Sequence, residues 1–261
     1  MSKLLRLTAF DCAVRLFLRF YKFSIGRGIM QGLVLEVIGP ALGVIKPTLE
    51  YVSRIIVPML QGTVVTLELF FITIFFSIPL GMLLALARIS RYRILRDVVG
   101  GYIWLLRGTP LLLQVFFVYY GLPNFGITLD NFPAACIAFV LNYAAYFAEI
   151  FRAGIQSIDK GQYEGAKVLG FTYWQTMWRI ILPQTVRRVL PPVCNEAITL
   201  VKDTALVYAI GLGELLRATK IAVSRDAVTS PFIVAAVFYL IMTYVLTKAF
   251  DWLERRYSIY E

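Results

Sequence analysis

Residues 161–183 read GQYEGAKVLGFTYWQTMWRIILP, a polar stretch inside a chain that is otherwise apolar enough for a membrane. Asp159 and Gln162 stand three apart, as do Thr172 and Gln175. Both pairs fit a helix N-cap with its partner at the third helical position. Gly170 falls between the two helical stretches, where a left-handed C-cap residue is expected. The reading is helix, sharp glycine turn, helix, closing at Ile181-Leu182-Pro183. The segment forms a compact two-helix knob between two apolar spans.

Working outward, the 261 residues are 59% hydrophobic, more than a soluble domain of this length carries. A membrane span needs about 20 apolar residues. Only helices and closed barrels satisfy their backbone in lipid, and period-two alternation is absent, so the fold class is all-α. The net charge is +10 and there is no histidine. Histidine metal sites, haem ligation and His-based triads are thereby excluded. No phosphate-binding G-x-x-x-x-G-K-[ST] occurs, so this chain does not cradle ATP itself. No cofactor or metal is expected on it. Cys12, Cys136 and Cys194 are far apart and read as free thiols packed as small apolar groups.

Five spans are readable, at about 62–87, 98–121, 133–155, 185–209 and 231–250, giving a polytopic membrane helix bundle. Pro79 and Gly81 are expected to bend the first. Gly108-Thr109-Pro110 is expected to break the second. Small residues at Ala134, Ala138, Ala144 and Ala148 permit close contacts of the third. Segments 88–98 and 156–188 and the C-terminal end carry twelve Lys and Arg, against three in 122–132 and 210–230. The positive-inside bias puts the knob and the C-terminus in the cytoplasm. It also makes membrane lipid, not nucleic acid, the partner of the basic charge. The domain reading is an N-terminal basic amphipathic extension over 1–60, a membrane domain over 61–256 that includes loop 156–183, and a tail at 257–261. Residues 3–22 hold Lys3, Arg6, Arg15, Arg19 and Lys22 among apolar residues, as in a helix lying on a membrane face. They lack the cleavage site of a secretory signal. Segment 29–45 fits an interfacial helix or a sixth span.

Charged groups inside spans are functional candidates by default. Pro191 and Pro192 are expected to disturb the fourth span and expose carbonyls, as at the broken helices of transporters. Beyond them Asn195, Thr199 and Lys202 share one helical stripe, and Glu196 and Asp203 lie on a neighbouring one. The stripe is about 10 Å long, which matches an amino acid. Glu149 and Arg152 fit either an intrahelical ion pair or a ligand contact. Arg107 reads as snorkelling to the interface. Asn142 and Tyr146 read as pore-lining or as interhelical hydrogen-bonding groups. The aromatic run at Phe116, Phe117, Tyr119 and Tyr120 reads as an interfacial belt. The candidate substrate-binding residues are Glu149, Asn195, Glu196, Thr199, Lys202 and Asp203. None is catalytic, and the chain is not expected to be an enzyme.

The knob, with its flanks LLRGTPLLLQ (105–114), NYAAYFAEIFRAGIQSI (142–158), LPPVCN (190–195) and LVKDTAL (200–206), resembles the permease subunits of polar amino acid ABC uptake systems. The likeness runs over about residues 60–256. Those subunits usually have alanine where Gly165 stands; glycine weakens the helix by roughly 1 kcal/mol but keeps the surface small. The resemblance implies a type I importer permease fold, with the knob as the coupling helix of the EAA loop. Glu164, Gly165, Ala166 and Gly170 would dock on an ATP-binding subunit. It also implies two such subunits carrying ATP and magnesium, a second permease copy or paralogue, and an extracytoplasmic amino-acid-binding protein. The setting would be the cell inner membrane and the mechanism alternating access. The cargo reading is a polar amino acid, with basic ones favoured by two acids on the fourth span and glutamine or glutamate as the alternative. A secondary transporter would not need the knob and usually shows two repeats of spans, which are absent here.

Overall fold

A computed structural model describes residues 39–257, with side chains from Glu50 onward. The expectations for residues 3–22 and most of 29–45, and Cys12, lie outside these. The chain divides into two compact units, Met1–Ile56 and Val57–Glu261, and the packing below is that of the second.

The described residues are nearly all helical, without a strand. Helix α1 (Gly39–Arg88) is a single helix. It runs unbroken through Pro79 and Gly81. Then come α2 (Arg93–Gly108), α3 (Leu111–Phe116), a π turn at Phe117–Gly121 and a 3-10 turn at Leu122–Phe125. Helix α4 (Asn131–Gln156) follows, then α5 (Lys160–Val168), α6 (Tyr173–Thr176), a π turn at Met177–Ile181 and α7 (Leu182–Asp203). A 3-10 stretch (Thr204–Ile210), α8 (Leu215–Asp226) and α9 (Ser230–Tyr257) complete the order.

Among the described residues three stretches are long and apolar enough to cross a membrane: Glu50–Arg88, Asn131–Gln156 and Ser230–Tyr257. The pair Arg93–Gly108 and Leu111–Phe125, bent by 105° at its break, passes the same test only when its two parts are taken together. The expected span at 185–209 is α7, which packs against α4 and α9. Its 22 residues are about 33 Å long, enough for a hydrocarbon core of about 30 Å. Its five charged residues make it too polar to stand in lipid alone. It buries Val189, Cys194, Ala197, Leu200 and Val201 and leaves Pro191, Pro192, Asn195, Thr199 and Lys202 exposed. The helix is continuous through both prolines, which corrects the expected break there. The α-helix ends instead at Asp203, where the backbone tightens to 3-10.

Helices approach where side chains are absent. A Cβ on Gly81 would stand 2.7 Å from the Phe147 Cβ and 3.1 Å from the Ala144 carbonyl oxygen of α4. A Cβ on Gly154 would overlap the Val189 Cγ1 of α7. Beside these contacts Val99, Ile103, Ala145 and Ala148 form one apolar cluster joining α2 to α4. At the connection before α8, Glu214 is wholly buried. Its carboxylate caps α8 by accepting the Leu216 and Arg217 amides, both at 2.6 Å. The Tyr239 hydroxyl donates to it at 3.3 Å. Burial pushes its carboxyl up to about 7 against the opposing pull of those bonds.

Candidate functional site

Proline 110 shapes the site. It has no N–H and disfavours a helical residue before it. Thr109 is accordingly extended, at φ −119° and ψ 147°, and α2 ends at Gly108. The Leu106 carbonyl, four residues before the proline, loses its helical donor. Two side chains replace it: the Gln114 amide at 2.8 Å and the Asn142 amide at 3.1 Å. Gln114 also donates to the Thr109 carbonyl at 3.1 Å and accepts from Asn142 at 2.9 Å. The expected break at Gly108-Thr109-Pro110 is thus present, and its freed backbone is satisfied internally, as lipid requires.

The bend opens a cavity of about 540 Å³, within the size range of small-molecule sites. Arg107, Gly108, Thr109, Pro110 and Leu111 form one wall. Asn142, Tyr143 and Tyr146 of α4 form the second, and Glu196, Thr199 and Asp203 of α7 the third. The three α7 residues stand at i, i+3 and i+7, one face of a helix. The Tyr143 hydroxyl donates to the Asp203 Oδ2 at 2.8 Å. The Arg107 guanidinium lies over the Tyr146 ring, 5.2 Å from its centroid. The set presents a cation, two carboxylates and neutral donors, suited to holding a small zwitterion without bond chemistry. No cluster of metal-ligating side chains occurs among the described residues.

The structure divides the candidate residues. Glu196, Thr199 and Asp203 come together at the cavity. Asn195 and Lys202 are exposed and do not line it; each stands one residue off the Glu196–Thr199–Asp203 face. Glu149 stands behind the wall. It accepts from Arg152 at 2.7 to 3.1 Å and lies 4.0 Å from Arg107, so the intrahelical pair is the arrangement formed. Arg107 and Tyr143 were missed as cavity residues. Asn142 and Tyr146 do line the cavity, Asn142 also binding between helices. The only sequence signal for Arg107 was its charge beside a helix-breaking proline.

The knob is the second feature. Asp159 caps α5 by accepting the Gly161 amide at 2.7 Å, while Gln162 turns to the Gln184 amide at 3.1 Å. Only the Thr172–Gln175 pair forms a complete reciprocal cap. Gly170 has φ +77°. Its amide donates to the Lys167 carbonyl and the Phe171 amide to the Ala166 carbonyl, both at 3.0 Å, which is the Schellman turn. Ala166 is 2% exposed and faces the knob's own interior, correcting its expected place on a partner surface. Glu164, Gly165 and Gly170 are exposed. Around them stand Val168, Leu169, Tyr173 and Trp174, all exposed, which sequence reading passed over although they are apolar residues in a polar loop. The knob is rooted in a core of Ile155, Ile158, Met177, Ile181 and Leu182, against which Met82 and Leu86 of α1 pack. Arg188 of α7 donates to the Ser157 carbonyl at its base.

Comparison with known proteins places this architecture. Residues 77–259 match the model of the binding-protein-dependent transport system inner membrane component. An L-cystine transport system permease protein of Bacillus subtilis is 41% identical over 78% of this chain and 88% of its own length. An arginine transport system permease protein of the same organism is 39% identical over 76% and 91%. Among solved structures, an amino acid ABC transporter with histidines superposes with a TM-score of 0.73 at 36% identity, covering 82% of this chain and 97% of that one. The chain belongs to the family of binding-protein-dependent transport system inner membrane components.

Proposed function

We propose that this chain is the permease of an ATP-driven importer of polar amino acids and that the cavity between α2, α4 and α7 holds the cargo. The observation that carries the proposal is the cavity itself, in which Arg107, Glu196 and Asp203 meet inside a membrane bundle. Charged groups there have high desolvation costs and need a charged ligand or one another. Relatives bearing the names of cystine and arginine transport permeases support the amino acid reading. Asn195 and Lys202 form a polar exposed stripe on a spanning helix. That stripe suits a second permease copy across an aqueous path and not lipid.

In this proposal two ATP-binding subunits dock on the knobs, and an extracytoplasmic binding protein delivers cargo. The exposed Val168, Leu169, Tyr173 and Trp174 supply an apolar docking surface around Glu164, Gly165 and Gly170. Closure of the ATP-binding subunits draws the two knobs together. The shared core with α1 and α4 passes that movement to the spans, which rock about the cavity. The knob and the C-terminus face the cytoplasm. The experiment is affinity purification of the tagged chain with labelling of a cysteine placed at Lys160. An ATP-binding subunit should co-purify, and the thiol should react only from the cytoplasmic side. Labelling from outside alone would set the knob away from ATP and end the proposal.

A further inference from the structure

A second cavity lies where α1 meets α8. It is about 250 Å³, below the range of whole small-molecule sites. Gln61, Gly62 and Val65 of α1 line one side, and Gly213, Arg217 and Ile221 the other. Close contacts fix its walls. A Cβ on Gly62 would stand 2.9 Å from the Glu214 carbonyl, and the Leu215 amide donates to the Thr66 hydroxyl at 3.4 Å. Arg217 is the one cation among the lining residues. Its guanidinium lies over Gly211, where a Cβ would stand 2.6 Å from the Nη1. That guanidinium makes no hydrogen bond or ion pair among the described residues. Glu214, the acid beside it, has its oxygens taken by the Leu216 and Arg217 amides and the Tyr239 hydroxyl. Burial raises that carboxyl to about 7, so it offsets Arg217 only in part. Lys220, one turn along α8, stands over the Tyr208 ring, 4.1 Å from its centroid. Glu68, the next acid along α1, does not line the cavity.

The depth of the cavity points to its ligand. Leu86 of α1 packs against the root of the knob, just before Arg88 closes the helix. Val65 and Pro58 precede Leu86 by 21 and 28 residues, about 32 and 42 Å along the helix. A hydrocarbon core is about 30 Å thick, and the bilayer with its headgroups about 40–45 Å. With Leu86 at one edge of the hydrocarbon, the cavity stands in the headgroup layer of the leaflet away from the knob. Beside it Leu60, Val64 and Ile221 are exposed and apolar, a surface for acyl chains. We infer that this cavity holds the phosphate of an anionic phospholipid from that leaflet. The Arg217 guanidinium suits phosphate oxygens, Gln61 offers an amide, and Lys220 adds a second positive charge nearby. A free phosphate ion would leave the apolar flank uncovered, whereas a lipid covers it. A choline headgroup brings its own cation, which Arg217 and Lys220 repel.

The test places the permease with its ATP-binding subunits in lipid nanodiscs. These contain phosphatidylglycerol or phosphatidylcholine bearing a photoreactive diazirine near the glycerol, and labelled peptides are mapped by mass spectrometry. Phosphatidylglycerol should label residues 57–66 or 211–222 about fivefold or more above phosphatidylcholine, the attraction of one interfacial cation for an anionic headgroup. Arg217→Gln should reduce that excess to about twofold or less. Arg225→Gln, which removes an arginine already paired with Asp226, should leave it unchanged. Equal labelling by the two lipids overturns the inference, and so does labelling confined to other segments. An excess that survives Arg217→Gln overturns it too. Loss of the excess in Arg225→Gln would trace it to general surface charge, with the same consequence. Displacement of the lipid by millimolar inorganic phosphate would make this a site for a free anion and end the lipid assignment. The unmodified complex decides the location and the lipid preference whether or not the variants fold.

Discussion

Leucine at positions 142 and 114 removes the side chains that hold the bend beside the cavity. Asn142 is 3% exposed and makes two bonds, to the Leu106 carbonyl at 3.1 Å and to Gln114 at 2.9 Å. Each net hydrogen bond is worth about 1 kcal/mol. Asn142→Leu is therefore expected to cost about 1–2 kcal/mol, because Gln114 still covers the Leu106 carbonyl at 2.8 Å. Gln114→Leu loses the bonds to the Leu106 carbonyl and to Thr109, and the one accepted from Asn142, at about 2–3 kcal/mol. In the double variant the Leu106 carbonyl has neither donor, and Pro110 cannot supply one. That orphaned group adds about 1–2 kcal/mol, from which the Asn142–Gln114 bond, lost in both singles but only once in the double, takes back about 1 kcal/mol, so the double should cost between the sum of the singles and about 1 kcal/mol more. A thermodynamic cycle on the purified complex, unfolded by titration with a denaturing detergent, reads the coupling. Cargo affinity should fall in parallel, since the bend carries Arg107 to the cavity. A double variant costing about 1 kcal/mol less than the sum of the singles, the result of the shared bond alone, would refute the account of how the bend is held.

Gly81→Ala and Gly154→Ala should each destabilise the bundle by about 1–3 kcal/mol through overpacking. Gly101→Ala, where an added Cβ meets nothing within 4 Å, should be neutral or stabilising by up to about 1 kcal/mol; thermal unfolding in detergent separates the three. Gly170→Val places a β-branched residue at φ +77°, with a strain of about 1–2 kcal/mol. It should uncouple ATP hydrolysis from cargo while the spans stay folded, and normal cargo-stimulated hydrolysis would exclude this. Glu214 ionises at about 7 in the fold against an ordinary 4.5. The folded state therefore keeps a proton that the unfolded chain loses, and stability should fall as pH rises from about 4.5 to 7, then level off. Unfolding midpoints across that window should flatten in Glu214→Gln.

Local rules made some of this visible in advance. Gly170 was legible because a sharp turn between two capped helices leaves few residues able to take positive φ. Pro110 was legible because its missing N–H acts on its own neighbours. On α7 helical periodicity separates the polar stripes but does not say which one meets α4. With the helix intact, Glu196, Thr199 and Asp203 face the cavity, and Asn195 and Lys202 do not. Tyr143 was invisible: an aromatic residue in an apolar span reads as packing, and its hydroxyl gains meaning only from Asp203, 60 positions away. Arg107 read as snorkelling because periodicity carries no information about which helices close around it. Ala166 was taken for a partner contact because smallness suits either surface.

The most direct measurement of the central claim is uptake of a labelled amino acid by vesicles containing this permease, its ATP-binding subunits and its binding protein. Vesicles with ATP on the knob side should accumulate the amino acid above its outside concentration, and vesicles with imposed sodium or proton gradients but no ATP should not. Accumulation driven by an ion gradient alone would contradict the account.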